Sequence, residues 1–132
     1  MPTPPTNLDL HTISPLDFAF VGDAVFELLV REHILQGGNL PVHKLHEKSV
    51  AIVNAKSQSK LYDMLTSIVT AEELAKLKQG RNADVSHTPK NTDVADYKKA
   101  TAVECLFGWL YLKGDRNRVD ELFAKIINFL EK

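Results

Sequence analysis

Apolar residues recur at helical spacing along most of the chain, and little in the pattern favours strands. In the last segment they stand at i, i+3, i+4, i+7, i+8 and i+11, namely Val119, Leu122, Phe123, Ile126, Ile127 and Leu130. Side chains at these spacings share one face of a helix, so this segment is predicted to be a core-facing helix. No internal repeat or low-complexity tract interrupts the pattern. The chain is therefore predicted to be all-α.

Capping residues and glycines set the ends of six predicted helices. Ser14 before a proline is a typical helix start, and Thr70 begins a capping-box sequence. Thr92 is expected to cap the fifth helix. Gly80 is expected to disrupt the fourth helix, which leaves residues 80–91 as a loop with bases at its edges. The predicted helices run from Ser14 to Gln36, Pro41 to about Val53, Asn54 through Leu65, Thr70 to Gly80, about Asp93 to Lys113, and Asp115 through Leu130.

The first helix is apolar over more than one face. A helix of this kind is buried nearly all round, so we expect the domain core on one side and a second subunit on another. The residues expected at the subunit contact are Phe18, Phe26 and Val30. The proline-rich residues 1–13 are expected to be an irregular lead-in, followed by one domain at residues 14–132.

Composition narrows the class of protein. A chain of 132 residues can bury a sizeable core without disulfides or a structural metal. The single Cys105 excludes an intrachain disulfide and is interpreted as a small buried hydrophobe in a reducing compartment. No apolar run reaches the ~18 residues of a membrane span, and the start lacks a signal-peptide pattern. We expect a cytoplasmic protein that contacts no membrane.

Charge is unevenly distributed, although the net charge is only −1. Residues 1–40 carry one base and five acids, whereas residues 41–99 carry ten bases and seven acids. Bases and amides are mixed in residues 76–83 and 88–93. Such a loop can follow a phosphate backbone or serve as a solvated connector, and both interpretations stay open.

Two acids interrupt long apolar helices, Asp23 in the first and Glu104 in the fifth. If these helices pack side by side, the carboxylates could share a proton or hold a divalent cation, and oxygen ligands favour Mg²⁺ or Mn²⁺ over Zn²⁺. Alternatively, each acid pairs with a base or lies exposed. Glu27 could join Asp23, but it also forms an ordinary i, i+4 pair with Arg31. The scattered histidines form no zinc motif, and GxSxG and P-loop motifs are absent.

Three motifs resemble the ribonuclease III family. Residues 20–25 (FVGDAV) resemble its signature, and residues 102–108 (AVECLFG) with Tyr111-Leu112 resemble its second acidic motif. Residues 80–83 (GRNA) and 88–93 (TPKNTD) resemble the Mini-ribonuclease III branch, which lacks a double-stranded RNA-binding domain. Residues 30–33 and 55–58 resemble the same branch, and the similarity extends over residues 16–112.

The resemblance implies an all-helical, homodimeric endonuclease domain that cuts double-stranded RNA with Mg²⁺, for which Mn²⁺ can substitute. It implies maturation of the 23S ribosomal RNA precursor by attack of an activated water, which leaves 5′-phosphate and 3′-hydroxyl ends. Asp23 and Glu104 match the catalytic, metal-binding acids. The residues expected to bind RNA are Lys44, Lys48, Lys56, Arg81, Asn82, Lys90, Asn91 and Lys98. A ribosomal protein is left open as a helper.

Two positions depart from the pattern of full-length ribonuclease III, which carries further acids where this chain has Ala19 and Thr101. We therefore expect one well-held metal per site. The departures also keep open a non-catalytic RNA-binding or ribosome-assembly module on the same fold, although Asp23 and Glu104 count against it. A helical interaction protein without a nucleic-acid role would leave the basic loop unexplained.

Overall fold

The computed structural model describes residues 8–84 and 87–132, and this part of the chain is all-α. A short 3₁₀ helix at Leu10–Thr12 precedes the α-helices. The helices are α1 (Pro15–Leu35), α2 (Val42–Ile52), α3 (Ala55–Leu65), α4 (Ala71–Asn82), α5 (Val94–Leu112) and α6 (Arg116–Leu130). The predicted all-α class is confirmed. No helix in these two ranges combines the length and the hydropathy needed to cross a bilayer.

The predicted caps form the hydrogen bonds that begin three helices. Ser14 Oγ accepts a hydrogen bond from the Asp17 backbone N–H at the start of α1, and Asn54 Oδ1 caps α3 in the same way. Both reciprocal bonds of the capping box between Thr70 and Glu73 are present in α4. These bonds satisfy N–H groups that have no partner inside their own helix, so the starts of these helices follow from local sequence.

Two helix boundaries differ from the prediction. Helix α4 continues through Gly80, because the missing side chain allows close packing on α5: a Cβ atom there would lie 2.8 Å from the Ala102 Cα atom and 2.7 Å from the Cβ of Cys105. Asp93 rather than Thr92 caps α5, since its carboxylate accepts a bond from the Asp96 N–H. Residues 1–7 of the predicted lead-in and residues 85–86 of the predicted loop lie outside the described residues.

Helix α5 is the centre of the fold and contacts α1, α3, α4 and α6. Nearly all of its side chains from Ala100 to Leu110 are buried. The ring of Phe26 on α1 packs edge-on against Phe107 on α5 and Phe123 on α6. Glu104, in the middle of this apolar helix, is only partly buried.

The expected subunit contact at Phe18, Phe26 and Val30 is wrong. These side chains are 2%, 0% and 0% exposed within the single chain, because they face the other helices of the same core. The apolar face that α1 leaves open is a stripe at i, i+4 spacing, which we call the α1 stripe. It consists of Leu16, Phe20, Ala24 and Leu28.

Candidate active site

Two glycines let α1 and α5 cross with their backbones in contact. A Cβ atom on Gly22 would lie 1.6 Å from the Glu104 carbonyl oxygen, and one on Gly108 would lie 1.8 Å from that of Phe18. Real side chains cannot approach so closely, so both positions require glycine in this packing. Since Asp23 follows Gly22, the crossing places Asp23 beside Glu104.

The carboxyl groups of Asp23 and Glu104 interact directly. Burial, followed by the charge of Asp23 and a hydrogen bond with it, raises the pKa of Glu104 from its ordinary 4.5 to about 8. A raised pKa means that the site disfavours a second negative charge beside the first. The pair therefore favours either a shared proton or a bound cation.

The reason for expecting chemistry at these acids differs between the two. Asp23 is exposed in the single chain, so the cost of burying a charge applies to Glu104 and not to Asp23. Neither carboxylate forms an ion pair with a lysine, arginine or histidine in the two ranges that the structure describes. The interpretation that each acid pairs with a base is therefore not supported, whereas Asp23 does lie exposed.

Glu27 lies one helical turn beyond Asp23 and is held by two donors. Arg31 Nε donates to Glu27 Oε1 at 3.0 Å, which confirms the predicted i, i+4 pair. Ser49 Oγ on α2 donates to the same oxygen at 3.1 Å. The charge of Glu27 is still close enough to Glu104 to contribute to the raised pKa of that residue. Glu27 thus adds negative potential while its carboxylate is already bonded.

The positions without acids are filled by packing residues. Ala19 and Thr101 are each 6% exposed, and Thr101 Oγ1 donates back to the Tyr97 carbonyl oxygen at 2.9 Å. Within residues 8–84 and 87–132, no cluster of three or more histidine, cysteine or acidic side chains could hold a metal. Any cation here would depend on two protein carboxylates, with the remaining ligands from water or substrate.

Comparison with known proteins identifies the family. Residues 16–115, more than half of the chain, match the model of the Ribonuclease III domain. The chain belongs to the ribonuclease III family. Membership makes it an endoribonuclease, as the sequence motifs predicted.

Curated relatives resemble the chain over most of its length. Mini-ribonuclease 3 of Staphylococcus aureus is 39% identical, with 93% of each chain covered. Mini-ribonuclease 3 of Clostridium tetani is 34% identical and covers 96% of this chain and 85% of its own. A crystal structure of a protein from Fusobacterium nucleatum superposes with a TM-score of 0.83 at 31% identity, covering 92% of this chain and 99% of its own. The predicted resemblance to the Mini branch is confirmed.

The residues predicted to bind RNA are distributed over several elements. Lys44 and Lys48 lie on α2, Lys56 on α3, Arg81 and Asn82 at the end of α4, Lys90 and Asn91 in the following loop, and Lys98 on α5. All are exposed except Lys98, which is half-buried. The Arg81 guanidinium lies 5.9 Å from the centre of the Tyr62 ring. Asn91 adopts a positive φ of 64°, which asparagine tolerates better than most residues, so it also shapes the loop.

Two polar residues near the site, Ser49 and Gln58, were not predicted to have a role. Both are buried, at 3% and 4% exposure, on α2 and α3. The sequence did contain an indication for Gln58: it stands three residues before Leu61 and seven before Leu65, so a polar side chain lies in an apolar helical stripe. Ser49 has no comparable signal, because its partner Glu27 is 22 residues away.

Proposed function

We propose that this ribonuclease III family member is a divalent-cation-dependent endonuclease that hydrolyses double-stranded RNA, with Asp23 and Glu104 as its catalytic acids. The observation that carries the proposal is the carboxylate pair at the α1–α5 crossing. Because the acids adjoin each other and the charge of Asp23 helps to raise the pKa of Glu104 to about 8, a cation that replaces the shared proton would be held by both.

The donor set fits a hard cation such as Mg²⁺, and Mn²⁺ would be accepted for the same reason. Both acids offer only oxygen, and Mg²⁺ binds through one or two carboxylates while keeping several waters. When bound, the cation supplies a Lewis acid that polarises the scissile phosphate and lowers the pKa of the attacking water. The exposure of Asp23 leaves this side of the pair open to a phosphate backbone.

In the proposed reaction water is the nucleophile, and no side chain of the protein attacks the phosphate. In the hydrolysis, the attacking water gives up a proton as its oxygen forms a bond to phosphorus, the bond from phosphorus to the 3′ oxygen breaks, and that oxygen takes up a proton. The products carry a 5′-phosphate and a 3′-hydroxyl. Asp23 and Glu104 would hold the cation, and the bonds from Arg31 and Ser49 keep Glu27 in place beside them.

Binding of the duplex is proposed to use the exposed bases from α2 to the start of α5. A-form RNA is recognised by its shape, phosphates and 2′-hydroxyls rather than through its narrow major groove. Dispersed lysines therefore suit it better than a single helix that contacts base edges in a groove. Affinity should fall steeply with added salt. By resemblance to the Mini branch, the proposed natural substrate is the 23S ribosomal RNA precursor in the cytoplasm.

A homodimer is proposed to form through the α1 stripe. Phe20 is 82% exposed and Leu28 53%, and both line a hollow of about 540 Å³ that also includes Tyr111. A ring so exposed beside an apolar hollow is typical of an association surface. Asp23 lines the same hollow, so the second subunit would lie next to the acidic pair.

The dimer is tested by the variant Phe20→Asp, with Val42→Asp as the control. Val42 is 80% exposed and lies outside the α1 stripe, so both variants add one charge at a similarly open position. The mass from light scattering should fall from two chains to one for Phe20→Asp and stay at two for Val42→Asp. A wild-type mass of one chain at micromolar concentration would contradict the proposal.

The catalytic assignment is tested by Asp23→Asn and Glu104→Gln, with Glu32→Gln as the control because Glu32 is an exposed acid on α1. Cleavage of an end-labelled RNA duplex in Mg²⁺ should fall at least about a thousandfold in the first two variants, which corresponds to ~4 kcal/mol of lost transition-state stabilisation. The control should cut normally. Full activity of either site variant would contradict the assignment, and duplex binding without Mg²⁺-dependent cleavage would support the non-catalytic module instead.

A further inference from the structure

The side-chain amide of Gln58 on α3 is buried, and its nitrogen lacks a hydrogen-bond partner among the described residues. The residue is 4% exposed, and its Nε2 atom has no hydrogen-bond partner in the part of the chain that the structure describes. Burying a donor in this way is unfavourable, and the helical stripe that Gln58 shares with Leu61 and Leu65 would accept an apolar side chain. An explanation therefore has to come from what the amide faces.

The Gln58 side chain lies close to the Glu104 carboxyl group. Helix α3 packs on α5, and Gln58 is among the side chains that interact with the Glu104 carboxyl group. Nε2 carries the only N–H donors of the Gln58 side chain, so a hydrogen bond from Gln58 to a carboxylate has to come from this atom. The two groups interact, but they are not aligned as a hydrogen bond of normal geometry.

We propose that Gln58 is a positioning residue for the carboxylate pair: its Nε2 donates a hydrogen bond to the ionised Glu104 carboxylate and holds that carboxylate facing Asp23. Outer-shell bonds of this kind orient the groups that bind a cation. The inference rests on the proposed function, because it concerns the form of Glu104 that would hold the cation. It gives the buried amide a partner that an apolar residue could not replace.

The test is Mn²⁺ binding, measured by the loss of the free Mn²⁺ electron paramagnetic resonance signal as the protein is added. Gln58→Met keeps the side-chain volume and removes the donor. Ser59→Ala is the matched control, since Ser59 is the next residue on α3 and is also buried. We expect binding to weaken about tenfold in Gln58→Met and to stay unchanged in Ser59→Ala. A second variant, Gln58→Asn, keeps the amide but shortens its reach, and it should bind with intermediate affinity.

The outcomes separate this inference from the proposed function. If Gln58 only fills space, Gln58→Met removes an unpaired donor, so the melting temperature should rise while Mn²⁺ binding stays at the wild-type level, and the inference is then overturned. If Gln58→Met does not fold, Gln58→Asn decides by the same titration. If the wild-type protein binds no Mn²⁺, the proposed cation site itself fails, and this inference fails with it.

Discussion

Replacing Glu104 by glutamine should stabilise the cation-free protein, even though it is expected to abolish cleavage. Glu104 is partly buried next to Asp23, which raises its pKa to about 8. Glutamine has the same shape and no charge, and its amide can donate to Asp23 as the protonated carboxyl group does. The variant thus removes the electrostatic conflict and retains the packing.

The size of the effect follows from the two pKa values of Glu104, 4.5 when unfolded and about 8 when folded. At pH values between these two pKa values, the native state binds more protons than the unfolded state, so the free energy of unfolding falls as pH rises, by about 1.4 kcal/mol per pH unit. At pH 7 the upper bound is about 3 kcal/mol, and relaxation of water and side chains lowers it. We expect Glu104→Gln to gain about 1–3 kcal/mol at pH 7 to 9 and almost nothing at about pH 4.5.

The assay is urea unfolding followed by circular dichroism, at one protein concentration and with EDTA present. The difference in unfolding free energy between Glu104→Gln and the wild type is measured at several values from about pH 5 to about pH 9. Glu32→Gln should stay within about 0.5 kcal/mol of wild type throughout, because Glu32 is an exposed acid on α1. Added Mg²⁺ should narrow the gap by stabilising only the wild type.

Equal stability of Glu104→Gln and the wild type at about pH 9 would refute the electrostatic reasoning. A gain of the same size at every pH would also refute it, since the cause would then be packing rather than ionisation.

Two further predictions concern packing and a second ionised group. Gly22→Ala should lower the unfolding free energy, measured in urea, by about 3 kcal/mol or more, because the new methyl group would meet backbone atoms of α5. The control Gly37→Ala should change it by less than about 1 kcal/mol, because the new methyl group would make only one close contact, at 3.3 Å. The hydrogen bond from Arg118 lowers the pKa of Glu73, so this pair stabilises the fold above pH 4.5 and loses its effect as the pH falls through the lowered pKa. Glu73→Gln should therefore lower the unfolding free energy by about 2 kcal/mol at pH 7. Equal losses at pH 7 and at about pH 3 would contradict this.

Helix starts and the identity of the two acids were predictable from sequence because both depend on local chemistry. Ser14 and Thr70 cap through bonds to backbone groups three residues away, and such bonds need no tertiary contact. Asp23 and Glu104 stood out because acids rarely occur inside long apolar helices. The family motifs then added the order and spacing that connect them.

The parts that sequence did not predict depend on which helix covers which face. Gly80 looked like a helix end, because its fit against α5 becomes visible only when α4 and α5 are packed. Phe18 and Phe26 looked available for a second subunit, because a helix with apolar residues on several sides does not show which side the core takes. The exposure of Phe20, at 82%, could only be learned from the folded chain.

The same close crossing explains both the chemistry and the cost of the site. Because Gly22 lets α1 touch the backbone of α5, Asp23 and Glu104 come near enough to share a proton. A carboxyl group that shares a proton binds a cation weakly until that proton leaves. Above pH 8 the proton is lost from Glu104 and the full repulsion is present. A cation should therefore bind more tightly as pH rises through this range, and each cation bound to the pair should release a proton at pH 7. Calorimetric titration of Mn²⁺ into the protein at pH 7, in two buffers of different ionisation enthalpy, measures that proton directly, and equal heats in both buffers would show that the pair is already ionised.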